Sequence, residues 1–255
     1  MMRKLLGYFF KRDQVVLLSA FGISLLACLI SRANAAPEVT LFAAMAIYVA
    51  AVAGGIVVLA RDYRAFCGDR SPFFAALPLT GRQVVGARFA YLGLLLLLMS
   101  LIGAFMGARL LVLFSAAIGG QLNFVIEQLK VMYSQPSGIA LIGSLFLLNL
   151  GTQVALWLFA VSVGSERTLR RFSFGGPVLV YILTALGIGA IDTLLGALFP
   201  FGFVFEWGRG FFFGAIQPEQ ELFGLPLTIW IVSALCVALG LWRSAYSHNQ
   251  KLSAY

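Results

Sequence analysis

Six stretches of this chain contain no Asp, Glu, Lys or Arg: 14–31, 39–60, 89–108, 131–165, 172–191 and 222–242. Each reaches or comes close to the ~20 apolar residues that a helix needs to cross the hydrocarbon core of a bilayer. A backbone in that core has no water to bond, so a spanning segment must satisfy its own N–H and C=O groups. The pattern predicts an all-α fold, a polytopic membrane helical bundle with six transmembrane helices. The spans fall at 14–31, 39–60, 89–109, 138–164, 174–197 and 223–243. Of the 255 residues, 61% are hydrophobic and 11% charged, against roughly 45–50% and 25% in soluble chains. No stretch remains for a folded soluble domain, and 1–255 reads as a single transmembrane domain.

Orientation follows from the basic residues, because cytoplasmic loops carry an excess of Lys and Arg. With both termini inside, 14 of the 18 Lys and Arg residues lie on the cytoplasmic side, leaving Arg32, Arg109, Lys130 and Arg209 outside or in the membrane. The chain is therefore expected as a multi-pass protein of the cytoplasmic membrane with both termini cytoplasmic. The same bias accounts for the net charge of +8 through anionic lipid and calls for no nucleic acid.

Residues 1–13 place Leu5, Leu6, Phe9 and Phe10 on one helical face, with Lys4, Lys11 and Arg12 able to snorkel towards headgroups. This predicts an N-terminal interfacial helix over 1–13. The stretch to Ala36-Pro37 also has the look of a cleavable signal. Arg32, between the apolar core and the site of cleavage, favours a retained span.

Residues 69–89 are rich in Arg and lie between the second and third spans. Ser71 is a good N-cap, and Pro72 then takes the first helical position, where a missing N–H costs nothing. Leu77-Pro78 ends that helix, since the residue before a proline is pushed out of the α region. Thr80 and Gln83 form a capping box for the next, much longer helix. A short amphipathic helix over 71–78, carrying Phe73, Phe74 and Leu77, is thus expected at the membrane surface.

Leu77-Pro78, Arg82, the pair Val84-Val85 and Arg88 together resemble a motif of the permease subunits of bacterial ATP-binding-cassette exporters of the second type, the six-span "type V" permeases. The resemblance implies that the short helix is a cytoplasmic coupling helix docking on a separate ATPase subunit, with Ser71, Pro72, Phe73, Phe74, Leu77, Pro78 and Arg82 as ATPase-coupling residues. It implies the elbow-like N-terminal helix and a bacterial inner membrane. Asp62 and Asp69 both compete for the acidic position that the family often places upstream of Leu-Pro. The implied assembly is a homodimer of permeases, or a pair of different ones, with two ATPases.

Other regions are less regular. Residues 110–137 read as the end of span three plus an amphipathic helix on the outer face. The short loop Ser165–Arg171 reads as topology-fixing or as a second contact with a cytoplasmic partner. From Phe199 to Phe223 the chain is aromatic and punctuated by Gly and Pro. A re-entrant or surface-lying helical pair fits there. Gly54-Gly55 and the small-residue pair Gly103/Gly107 predict close helix packing.

The residues exclude several chemistries. None of the four lysines follows a glycine, so no phosphate-binding Gly-Lys loop exists. His248 is the only histidine, which removes histidine triads and histidine-based metal sites. Cys28, Cys67 and Cys236 lack ligand spacing and read as packing thiols. The chain is expected to be a transport subunit rather than an enzyme, with no cofactor of its own and with ATP and Mg on the partner ATPase. Asp192, Glu206 and Arg209 are the candidate substrate-pathway residues, since a carboxylate at helix depth costs about 2.5–3.5 kcal/mol and seeks a partner or water. The aromatic outer half suggests amphipathic or hydrophobic cargo. An ion-coupled secondary transporter, or a related permease for cofactor export or import, is the alternative.

Overall fold

The computed structural model describes residues 2–33, 36–67, 79–118, 130, 134–166, 169, 172, 174–206, 210–216 and 223–253. Among them are six long helices: α1 (Met2–Ala33), α2 (Pro37–Cys67), α3 (Gly81–Ile118), α4 (Pro136–Gly164), α5 (Gly175–Leu198) and α6 (Leu227–Ser253). All six are long and apolar enough to cross a membrane. The chain is a multi-pass helical membrane protein.

Two compact units divide these elements. The first contains α1, α2 and α3 from Ala90 onward. α1 and α2 form an antiparallel hairpin whose register can be followed from end to end. Ser31 Oγ donates to Thr40 Oγ1 at 3.2 Å near the turn. A Cβ on Gly54 would lie 3.3 Å from the Ala20 methyl, and Arg61 reaches the Arg12 carbonyl at 3.1 Å. Met106 of α3 closes a small core with Ala27, Ala43 and Ile47. Lipid tails are as apolar as leucine, so such helices are held by close backbone approach and polar contacts rather than by hydrophobic exclusion.

The second unit contains residues 80–89, α4, α5 and α6 with the strands between α5 and α6. α4 packs against both α5 and α6. Gly240 sets the α4–α6 approach, because a Cβ there would come within 3.0 Å of the Ala155 carbonyl oxygen. Ala155 itself is wholly buried.

Phe199–Phe223 departs from expectation. Instead of a helical pair, the chain forms β1 (Phe201–Glu206), β2 (Gly210–Ala215) and β3 (Phe223–Pro226). They make an antiparallel sheet of order β2-β1-β3, with Phe203 opposite both Phe213 and Leu225. The fold class is accordingly a helical bundle carrying a small sheet, not all-α. Phenylalanine favours strands and glycine disfavours helix. The alternation Phe201-Gly202-Phe203-Val204-Phe205 has the two-residue period of a strand. The final helix consequently starts at Leu227, four residues after the expected start of span six.

At the other terminus no break separates 1–13 from the first span, since α1 is one helix from Met2. Leu5 and Phe9 are buried, and the Phe9 ring meets Phe66 and Tyr91 at 6.0 and 5.4 Å between centroids. α3 continues to Ile118; most of the expected outer amphipathic helix lies outside the described residues.

Candidate functional site: helix ends around the 68–80 segment

The six residues Ser71, Pro72, Phe73, Phe74, Leu77 and Pro78 lie outside the described residues, as does Arg209. Glu206 ends β1, without a described side chain. Arg82 is exposed in the first turn of α3. Asp192 lies on α5, and its Oδ1 is buried with no hydrogen-bond partner among the described residues. The described residues thus bring together neither the set expected to couple an ATPase nor the set expected along a substrate pathway. They do define what stands on either side of residues 68–78.

On the α3 side, Thr80 caps the helix. The Gln83 amide donates to Thr80 Oγ1 at 3.4 Å, and the Thr80 amide donates to Gln83 Oε1 at 3.2 Å. The two side chains serve each other's amides, as the Thr-x-x-Gln spacing requires, and the Gln83 amide also donates to the Thr80 carbonyl at 2.9 Å. A third is satisfied from far away in sequence: the Gly81 amide donates to Asn249 Oδ1 on α6 at 2.8 Å. A Cβ at position 81 would stand 2.5 Å from both that oxygen and the Ala245 carbonyl oxygen. Glycine is needed there because another backbone lies against it.

On the α2 side is a buried ionic cluster that belongs wholly to the first unit. Asp13 of α1 has no exposed surface. Its carboxylate accepts from Arg12 Nε and Nη2, the latter at 2.6 Å, and from the Tyr91 hydroxyl of α3 at 2.7 Å. Arg61 of α2 stands 3.5 Å away and donates to the Arg12 carbonyl. The Arg12 guanidinium also lies 5.3 Å from the centre of the Phe9 ring. Asp62 is buried beside this group, and its negative charge acts on Arg12. Two arginines and two aspartates make the group formally neutral.

Comparison with protein-family models, curated proteins and solved structures gives no match.

Chemically, the cluster ties three helices together. Charges removed from water are tolerated only when paired and hydrogen-bonded, and Asp13 has partners on α1, α2 and α3. Three helix segments are thereby pinned at one level, a few residues before α2 gives way to the 68–80 segment. Among the described residues no group of three or more His, Cys, Asp or Glu could hold a metal ion.

Asp13 and Tyr91 were not singled out from the sequence. The available signal was the repeated dipeptide Arg12-Asp13 and Arg61-Asp62, one at the polar end of each of two consecutive apolar runs. An acid next to the arginine turns a residue that would snorkel outward into one that can be paired inward.

Proposed function

We propose that this chain is the membrane-spanning subunit of an ATP-driven exporter, with ATP hydrolysis on a separate ATP-binding-cassette subunit. The observation that carries this reading is the Leu77-Pro78-Leu79-Thr80-Gly81-Arg82 connection between α2 and α3. Its resemblance to the coupling loop of second-type permeases comes with a firmly capped helix start at Thr80. The ionic cluster on the opposite flank supports it further. A segment that receives force from a partner transmits it only if both flanks are anchored.

In this reading Ser71–Pro78 forms a cytoplasmic coupling helix, with Phe73, Phe74 and Leu77 as its apolar docking face and Arg82 at the rim. Both termini are cytoplasmic. Two copies of the chain enclose the pathway and each receives one ATPase. ATP binding draws the ATPases together and biases the helices between inward- and outward-open states. Asp192, Glu206 and Arg209 lie towards the exit, and the cargo is amphipathic or hydrophobic. Ion coupling is the weaker alternative, because it needs a titratable group near the bilayer midplane. Asp13 and Asp62 lie outside the charge-free runs 14–31 and 39–60, and arginine charge stands beside both.

The decisive experiment replaces Phe73 and Phe74 together by Ala. A few buried aromatic anchors carry most of an interface's energy, about 2 kcal/mol or more on truncation. ATPase docking should weaken by about thirty-fold or more at 1.4 kcal/mol per tenfold, with membrane abundance unchanged. Normal docking and transport at normal abundance would end this assignment.

A further inference from the structure

The apolar surface of the second unit does not stop where α5 stops. The most apolar stretch of α5 buries none of its residues within the chain, and Leu186, Leu194 and Leu198 all stand outward. In a multi-pass protein an outward apolar helix face is covered by lipid. Beyond Leu198 only Phe199 and Pro200 precede β1. The exposed row then continues through Phe199 (58% exposed), Phe201 (51%) and Phe213 (57%).

The sheet that carries these rings is anchored. Phe205 and Leu225 are buried. The Phe203 ring lies 5.6 Å from Trp230 on α6, and Trp230 Nε1 donates to Ser144 Oγ on α4 at 3.2 Å. Phe203 faces Phe213 across the ladder, and side chains alternate along a strand, so Phe201, Phe203 and Phe213 share one face. Residues 201–205, 210–215 and 223–226 carry no charge. β2 is an edge strand without the Lys or Pro that blunts edges standing in water.

We propose that this sheet is a membrane-interface element, with Phe199, Phe201 and Phe213 entering the headgroup–acyl boundary of the leaflet where α5 ends and α6 begins. Chain connectivity fixes the depth. Three residues from Leu198 to Phe201 reach at most ~10 Å, and β3 runs into α6 with no residue between. Aromatic rings favour that boundary. A sheet with unpaired edges goes no deeper, because its free N–H and C=O groups would find no partner in hydrocarbon. The occupant is lipid, since the exposed rings prolong the lipid-covered face of α5. This inference rests on the six-helix membrane fold alone.

The test uses the full chain in liposomes, with Cys28, Cys67 and Cys236 changed to Ser. Single variants F199C, F201C and F213C receive an environment-sensitive fluorophore; E166C, in the loop after α4, serves as the aqueous control. Phospholipids spin-labelled near the headgroup (acyl carbon 5) should quench the three sheet positions at least twofold more than those labelled at carbon 12. Iodide present on both sides of the bilayer should quench E166C but spare the sheet positions. Three sites keep the outcome readable if one variant fails to insert. Iodide quenching at 199, 201 and 213 equal to that at 166 would place the sheet in water. Protection from both lipid and iodide, with F213C cross-linking between two chains, would assign the face to a second copy. Either result overturns the proposal.

Discussion

The Tyr91 hydroxyl donates a 2.7 Å hydrogen bond to Asp13, a carboxylate without exposed surface. That bond joins α3 to α1, and Arg61 brings in α2 at the same level. Hydrogen bonds to charged groups contribute about 1.5–3 kcal/mol. Leaving a buried charge without its partner costs about 3–5 kcal/mol. Tyr91→Phe should therefore destabilise the protein moderately, and Asp13→Ala should destabilise it more, because Arg12 then stays buried without its carboxylate. Denaturation of the detergent-solubilised chain measures both. Equal, small effects would mean that the arginines reach water without Asp13.

A second expectation concerns the start of α3. Gly81→Ala puts a methyl group into the Ala245 carbonyl and the Asn249 side chain. Backbone on that side cannot yield as a flexible side chain would. The folded yield should drop sharply, whereas Asn249→Ala removes one hydrogen bond at about 1 kcal/mol and Thr80→Ala one cap at about 0.5–2 kcal/mol. Size-exclusion profiles should set Gly81→Ala apart from the two milder variants.

Gly240 and Gly103 offer a matched contrast within spanning helices. A Cβ at 240 crowds the Ala155 carbonyl, while one at 103 meets nothing within 4 Å among the described residues. Gly240→Val should lower the melting temperature clearly. Gly103→Ala should hold or raise it slightly, since Ala is favoured over Gly in a helix by about 1 kcal/mol. A Gly103→Ala variant as damaged as Gly240→Val would reveal a partner on the Gly103/Gly107 face.

Topology is checked by cysteine accessibility in intact cells. The positive-inside asymmetry puts a cysteine at Ser134 outside and one at Arg70 inside. Impermeant reagent should modify the first and spare the second; the reverse pattern would invert the orientation.

The six helices were legible because absence of charge over about twenty residues is a one-dimensional signal that bilayer thickness imposes directly. The capping box was legible for a related reason: Thr80 and Gln83 are three residues apart and need no other element. Asp13 was not, because whether Arg12 snorkels or pairs depends on where α2 and α3 bring Arg61 and Tyr91. Phe199–Phe223 failed differently. Its two-residue alternation was present at Phe201, Phe203 and Phe205, but aromatic richness beside a span was read as interfacial helix. Residues 71–78 and Arg209 lie outside the described residues.

The cap on Gly81 spans 168 positions of the chain. Synthesis proceeds from the N-terminus, so α3 is made long before Asn249 exists. Its first turn must wait with that amide unclaimed until the last helix has been threaded and its far end has come back alongside. The first turn of the third helix is thus completed only after the sixth has been made.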